Sequence, residues 1–278
     1  LLSITKIKLT CVSALIPGSL QYFVRVSLLL LYDPPAPRQP DFVRLANLPF
    51  YIAPNKTARD IIAIKHQTKG ETQMNVQHTI DSLTRAGFAV RYFDTAKEAA
   101  DYLCDSISGK TVGIGGSVTI EQMGLYDRLV EHNTVYWHWK TNNTETRTAA
   151  AGAQVYLTSA NAIAETGEIV NIDGSGNRVA ASLYNHERVV FVAGVNKIAE
   201  DYERAVFRAR NVAAPLNTRR LGLKTPCAVG KEIKCYNCAS RDRICCGVVT
   251  LLWPMRSVGV TEVVLVGGGV GVLRDCEG

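Results

Sequence analysis

KTVGIGGSVTIEQ, residues 110–122, changes its hydrophobic period partway along. Lys110 to Ile114 is a short β-favouring run that passes directly into Gly115, Gly116 and Ser117. Thr119 and Gln122 then stand at capping-box spacing, which predicts a helix starting there and carrying Ile120, Met123, Leu125, Leu129 and Val130. A strand that turns through glycine into a helix is the repeating piece of a parallel sheet.

The flanks repeat that alternation. Upstream, Ile61 to Ala86 reads as one or two helices, Phe88 to Phe93 as a strand and Ala96 to Ile107 as a helix. Downstream come strands at Thr134 to Trp139, Gln154 to Thr158 and Ile169 to Ile172, the last entered through a turn at Glu165 to Glu168 and closed by Asp173-Gly174. The run Val189 to Gly194 is apolar throughout, as in a strand covered on both faces, and Ile198 to Val212 has helical spacing. The expected fold is therefore α/β, a mainly parallel sheet flanked by helices, with a small cysteine-rich C-terminal segment.

With 278 residues, 47% of them hydrophobic and 20% charged, the chain can bury a sizeable core and is not a disordered protein. Its first part differs in character. Cys11 to Tyr32 is largely apolar and approaches the roughly 20 residues that span a bilayer, but Pro17, Gly18, Gln21 and Arg25 interrupt it. Residues 1–57 are read as an atypical extension ended by the proline cluster Pro34, Pro35 and Pro37, and no membrane span is expected. The α/β domain is assigned to residues 58–222, a four-cysteine segment to 223–253 and a tail to 254–278.

Residues 203–243 hold ten Lys and Arg against Glu203, Glu232 and Asp242, a balance of +7 beside a whole-chain net charge of +6, so the rest of the chain is nearly neutral. The same region holds the cysteines: five of the eight lie between Thr225 and Cys246. Cys227, Cys235, Cys238 and Cys245 follow C-x7-C-x2-C-x6-C, which suits four thiolate ligands to zinc or to an iron–sulfur cluster, while the adjacent Cys246 is a poor fifth ligand. Such clustering points to ligation in a reducing cytoplasm rather than to a disulfide scaffold. The basic residues then read first as charge balance for the thiolates. A nucleic-acid partner is not expected, because only Tyr236 is interleaved among them for base stacking.

Candidate ligand residues gather at strand ends, where open α/β sheets bind small molecules. Gly115 and Gly116 let backbone approach a ligand, Ser117 and Thr119 add hydroxyls, and the amides at the helix start face an anion. Glu165, with Thr166 and Gly167, offers an acid, a base or a carboxylate nucleophile. Asn171, Asp173, Asn177, Arg178, Asn196 and Lys197 are further polar residues at strand ends, Arg178 and Lys197 being the counter-ions for a carboxylate or phosphate. The five histidines are scattered and read as structural or surface residues.

Long strings within this pattern, VGIGGSVTIEQMGLYDRL, TVYWHW, VYLTSANAIAETGEIVNIDGSGNRVAA, VVFVAGVNKIAEDYERAVFRARNVAAPLN, and TPC followed by CxxC and SxDRIC, resemble the lactate-utilisation (LUD) domain family, in a branch with a C-terminal cysteine-rich segment. The resemblance runs from about Ala58 to Trp253 and implies a fold similar to sugar-phosphate isomerases and CoA-transferases. It implies a role in utilising L-lactate or a related organic acid, as a component of oxidation to pyruvate alongside other lactate-utilisation proteins. Residues 1–57 match nothing in that pattern, and the tail ending VGGGVGVLRDCEG departs from the strand and acidic end expected there. Two other readings stand beside it. One is a non-catalytic, metal-stapled module for a protein or nucleic-acid partner; the other is a transferase or isomerase using Glu165 or Glu121.

Overall fold

The computed structural model describes the backbone of residues 4–15 and 22–32 and, with side chains, residues 75–268, 270 and 271. The chain divides into two units, Leu1–Thr72 and Gln73–Gly278. In the first, strands β1 (Ile4–Leu15) and β2 (Tyr22–Tyr32) pair antiparallel, where the sequence suggested only an atypical extension. The proline cluster and the region from Ile61 to Met74 lie outside the described residues. No helix among the described residues is long and apolar enough to cross a membrane.

The second unit is built on a six-stranded sheet. Helix α1 (Val76–Arg85) leads into β3 (Ala89–Phe93), then α2 (Ala96–Ser106), whose N-terminus is closed by a capping box between Thr95 and Glu98. Strand β4 (Thr111–Ile114) follows, then the short helices α3 (Val118–Gln122) and α4 (Leu125–Leu129), and β5 (Thr134–Trp137). The expected helix from Thr119 is thus two pieces. Ser117 takes the cap, accepting from the Ile120 amide at 3.2 Å, and Gly124 breaks the run at φ 62°.

Helix α5 (Thr144–Ala151), which the sequence reading left unassigned, precedes β6 (Val155–Thr158), β7 (Ala162–Ala164) and β8 (Ile169–Asp173). Helix α6 (Asn177–Ala181) leads to β9 (Arg188–Gly194), a single helical turn at Val195–Lys197, and β10 (Ile198–Ala199). The helix expected from Ile198 starts only at Tyr202, because Asp201 caps it by accepting from the Arg204 amide at 2.7 Å. It runs as α7 (Tyr202–Arg208), a π turn at Ala209–Ala213, and α8 (Ala214–Arg220). Pro215 has no N–H to give the preceding turn and crowds its carbonyls, and the wider π turn accommodates it. The short helix α9 (Pro226–Val229) opens the cysteine segment, and β11 (Gly247–Leu251) and β12 (Val260–Val266) complete the unit.

All neighbours in the large sheet are parallel, in the order β3-β12-β9-β6-β4-β5. A smaller mixed sheet, β10-β7-β8-β11, stands beside it. Apolar side chains fill both faces of the large sheet. Leu103 of α2, Ile120 of α3 and Leu129 of α4 pack on Ile114, Val192 and Val264; Leu83 of α1, Ile169 and Leu251 pack on Tyr156, Phe191 and Val263. A third cluster joins Ala162, Val170 and Ile172 of the small sheet to Ala205, Ala209 and Ala214.

Strand β12 corrects the reading of residues 254–278 as a tail beyond the domain. It lies inside the sheet, and Val263 to Val266 are fully buried. Near its start Glu262, 3% exposed, accepts from Tyr102 Oη at 2.7 Å and Arg188 Nε at 2.8 Å. That ion pair is the one charged feature in an otherwise apolar run, VTEVVLV.

Candidate functional site

Chain order and spatial order part company at β4. From there the chain passes outward to the edge strand β5 and then returns to β6 on the other side of β4. The segments leaving the carboxyl ends of β4 and β6 therefore diverge, and a crevice of this kind is where open α/β sheets hold ligands. A cavity of about 350 Å³ lies there. Its wall includes Gly116, Ser117 and Thr119 after β4, His138 and Trp139 after β5, Ser159 and Asn161 after β6, Asp173 at the end of β8, and Lys197 after β9.

Gly115, which precedes the lining residue Gly116 and does not itself line the cavity, has no room for a side chain. A Cβ on Gly115 would lie 2.9 Å from Arg178 Cγ and from the Tyr156 hydroxyl. Arg178 in turn spends every donor of its guanidinium inside the protein. Nη1 donates to the Ser159 carbonyl and Asn171 Oδ1, Nη2 to Asn161 Oδ1 and the Ile172 carbonyl, and Nε faces Asp173 Oδ2 at 3.3 Å. The expected anion receptor is thus the post that holds the β6–β8 rim in shape, contributing charge but no free N–H.

Lys197 is 9% exposed, and its Nζ donates to Thr119 Oγ1 at 2.8 Å and Ser159 Oγ at 2.7 Å. Burial, then the neighbouring guanidiniums of Arg208 and Arg178, push its pKa down to about 7. Arg208 reaches the cavity from α7, donating to the carbonyls of Asn161 and Asn196, and burial lowers its pKa to about 10. Arg220 of α8 lies over the Trp139 ring at 4.9 Å and is steadied by Asn217 Oδ1. Among the described lining residues, Asp173 is the one carboxylate against Arg178, Lys197, Arg208 and Arg220. A wall so charged favours an anion.

Several expected residues lie elsewhere. Glu165, Thr166 and Gly167 form the β7–β8 turn and do not line the cavity; Glu165 Oε1 accepts from the Asn75 amide at 3.1 Å, and Gly167 packs against Ser82. A carboxylate at that position ties the turn to the start of α1. Asn171 is buried as a partner of Arg178, Asn177 lines the cavity, and Asn196 Oδ1 is buried with no partner among the described residues. The reading of the sequence missed Arg208, Arg220, His138 and Trp139. Arg208 was detectable as a charge within the apolar stripe formed by Ala205 and Ala209, and Trp139 as the residue that leaves a strand end.

Cys227, Cys235, Cys238 and Cys245 line a second, smaller cavity, and Cys246 is exposed outside it. The Thr218 and Thr225 hydroxyls lie 3.4 and 3.2 Å from Cys227 Sγ, and donors face two further sulfurs, the Asn237 amide 3.4 Å from Cys235 Sγ and Arg243 Nη2 3.5 Å from Cys245 Sγ. Arg219 binds the carbonyls of Cys227, Gly230 and Glu232, and Arg243 those of Cys238 and Cys245. No group of three His, Cys, Asp or Glu among the described residues is drawn together tightly enough to hold a metal ion. Four thiols around one cavity, with donors directed at sulfur, fit a thiolate-bound group in their chemistry. Ala214 and Ile244 line both cavities, so a single layer of side chains separates them.

The family model described as the LUD domain matches residues 76–264. Among solved structures, the chain is similar to a duf162 family protein from Deinococcus radiodurans, at 15% identity and a TM-score of 0.42, over 69% of this chain and 96% of that one. No curated protein matches.

Proposed function

The chain belongs to the LUD domain family, and from that premise we propose that it binds a small carboxylate- or phosphate-bearing metabolite in the larger cavity, in the utilisation of L-lactate or a related organic acid. The observation that carries this reading is the charge of the wall. Three cations, Lys197, Arg208 and Arg220, face the cavity with no carboxylate partner, and the single carboxylate, Asp173, is already engaged by Arg178. Of these, Lys197 and Arg208 are desolvated by burial, which is costly unless an anion joins them, while Arg220 stands exposed at the rim.

The four cysteines belong to the same reading as holders of an iron–sulfur cluster or zinc. Bound there, an iron–sulfur cluster would supply one-electron transfer, and zinc a structural clasp. The protein's part is to present four thiolates, direct the Asn237 amide and the Arg243 guanidinium toward sulfur, and keep Ile244 as the partition from the anion cavity.

Calorimetric titration of the full chain with sulfate and with L-lactate tests the anion reading. Saturable binding is expected, weakened at least about tenfold in Arg208→Gln, the scale of a lost charge-assisted hydrogen bond. Absence of binding, or equal affinity in the variant, would sink it.

A further inference from the structure

We propose that Lys197 binds its ligand covalently, its side-chain amine condensing with the carbonyl carbon of a small 2-oxo acid to form an imine. The proposal rests on the anion-binding reading and goes beyond it, because counter-charge alone asks nothing of the amine's lone pair.

The surroundings of Lys197 separate the two roles. A lysine that serves only as a cation is ordinarily solvated or paired with a carboxylate, whereas Lys197 is buried and its partners are two neutral hydroxyls, Thr119 Oγ1 and Ser159 Oγ. Its third N–H position meets no partner among the described residues, and the side chain lines the cavity. The guanidiniums of Arg208 and Arg220 stand in the same wall to take a carboxylate. Gly271 closes over the lysine so tightly that a Cβ there would lie 2.9 Å from Lys197 Cε and 3.2 Å from Nζ. Desolvation keeps a large share of the amine neutral near pH 7, the state that can act as a nucleophile.

The step balances without an oxidant or reductant. The nitrogen lone pair forms the C–N bond while the carbonyl π pair moves to oxygen, and one of the two amine protons passes to that oxygen to give the carbinolamine. Loss of the remaining N–H proton and departure of the hydroxyl as water then leave C=N. The hydroxyls of Thr119 and Ser159, already on Nζ, lie where the oxygen needs a proton donor.

The test is reductive trapping of the full chain at pH 7 with pyruvate as probe and cyanoborohydride as hydride donor, read by intact mass and peptide mapping. One carboxyethyl group per chain is expected, on Lys197, suppressed by excess sulfate and absent from Lys197→Met. Lys197→Arg, which keeps the charge but cannot form the imine, should also be unlabelled and covers the event that the methionine variant fails to fold. Exposed Lys231 and Lys234 serve as references; an ordinary lysine is neutral about a thousandfold less often at this pH. Labelling no greater at Lys197 than at these residues, together with saturable sulfate binding, overturns the imine and leaves the anion site standing. Equal labelling with no sulfate binding overturns both.

Discussion

Lys197 owes its chemistry to residues far from it in the chain. Thr119, Ser159, Arg178 and Arg208 come from four different segments, and none is marked in the sequence as its neighbour. The strand-end position of Lys197 was legible, since Val189 to Gly194 is an unmistakable strand; its burial and its hydroxyl partners were not. One consequence can be measured by pH. The folded chain holds the lysine at a pKa of about 7 against the ordinary lysine value of 10.5, so the unfolded chain binds more protons between these values. Stability from this group is therefore lowest below pH 7 and rises as pH climbs toward 10.5. In Lys197→Met that rise should vanish, a difference of about 2–4 kcal/mol across the window. Denaturant melts of both proteins at about pH 7 and about pH 9.5 decide it, and parallel pH profiles would contradict it. Arg178 shows the opposite case: its side chain was expected to meet ligand, but five internal acceptors consume it, and only the folded β6–β8 rim reveals them.

Among the elements, those with one uninterrupted period were readable and those interrupted by a glycine or a π turn were not. Helix α2 agrees with its expected span almost to the residue because Ala99, Ala100, Leu103 and Ile107 keep one helical period throughout it. The helix expected from Ile198 instead contains a π turn before Pro215, and that turn matters to the cysteine segment: Asn211, within it, accepts the Cys235 amide at 3.1 Å. Cysteine spacing was legible as a unit because the four residues are close in sequence, and Cys246 could be set apart by adjacency alone. The element therefore carries its own prediction. Chain purified anaerobically should hold metal that is lost in Cys238→Ser and kept in Cys246→Ser, assayed by elemental analysis and the visible spectrum. A brown protein with about four irons identifies a cluster, and stoichiometric zinc without colour a clasp. Equal metal content in the Cys238 variant would remove the site. Because Ile244 packs against Gly174, where a Cβ would lie 3.0 Å from its carbonyl oxygen, order in the cysteine segment bears directly on the wall of the anion cavity.

For the molecule as a whole, alternating periods disclosed a parallel sheet, yet nothing local in the sequence states which strands are neighbours. The crevice exists because β6 returns beside β4, a fact of topology, and the second sheet escaped notice because two of its strands, β7 and β10, span only three and two residues. The greatest departure is β12, taken for tail and found between β3 and β9. A chain ending at Trp253 should consequently lose the cooperative thermal transition of the full chain, followed by circular dichroism; a melt like the full chain's would show that the sheet tolerates the gap. The Glu262–Arg188 pair then acquires a meaning beyond stability. If β12 slid by two residues between its parallel neighbours, each valine would still face the same side, so apolar matching alone discriminates poorly against the slipped form. Glu262 discriminates: moved to the place of Val264, its carboxylate would leave Arg188 and Tyr102 and enter a hydrocarbon slot, and moved to the exposed place of Val260 it would still lose both partners. The buried charge works as an indexing pin, excluding wrong assemblies of the sheet that the hydrophobic effect would accept.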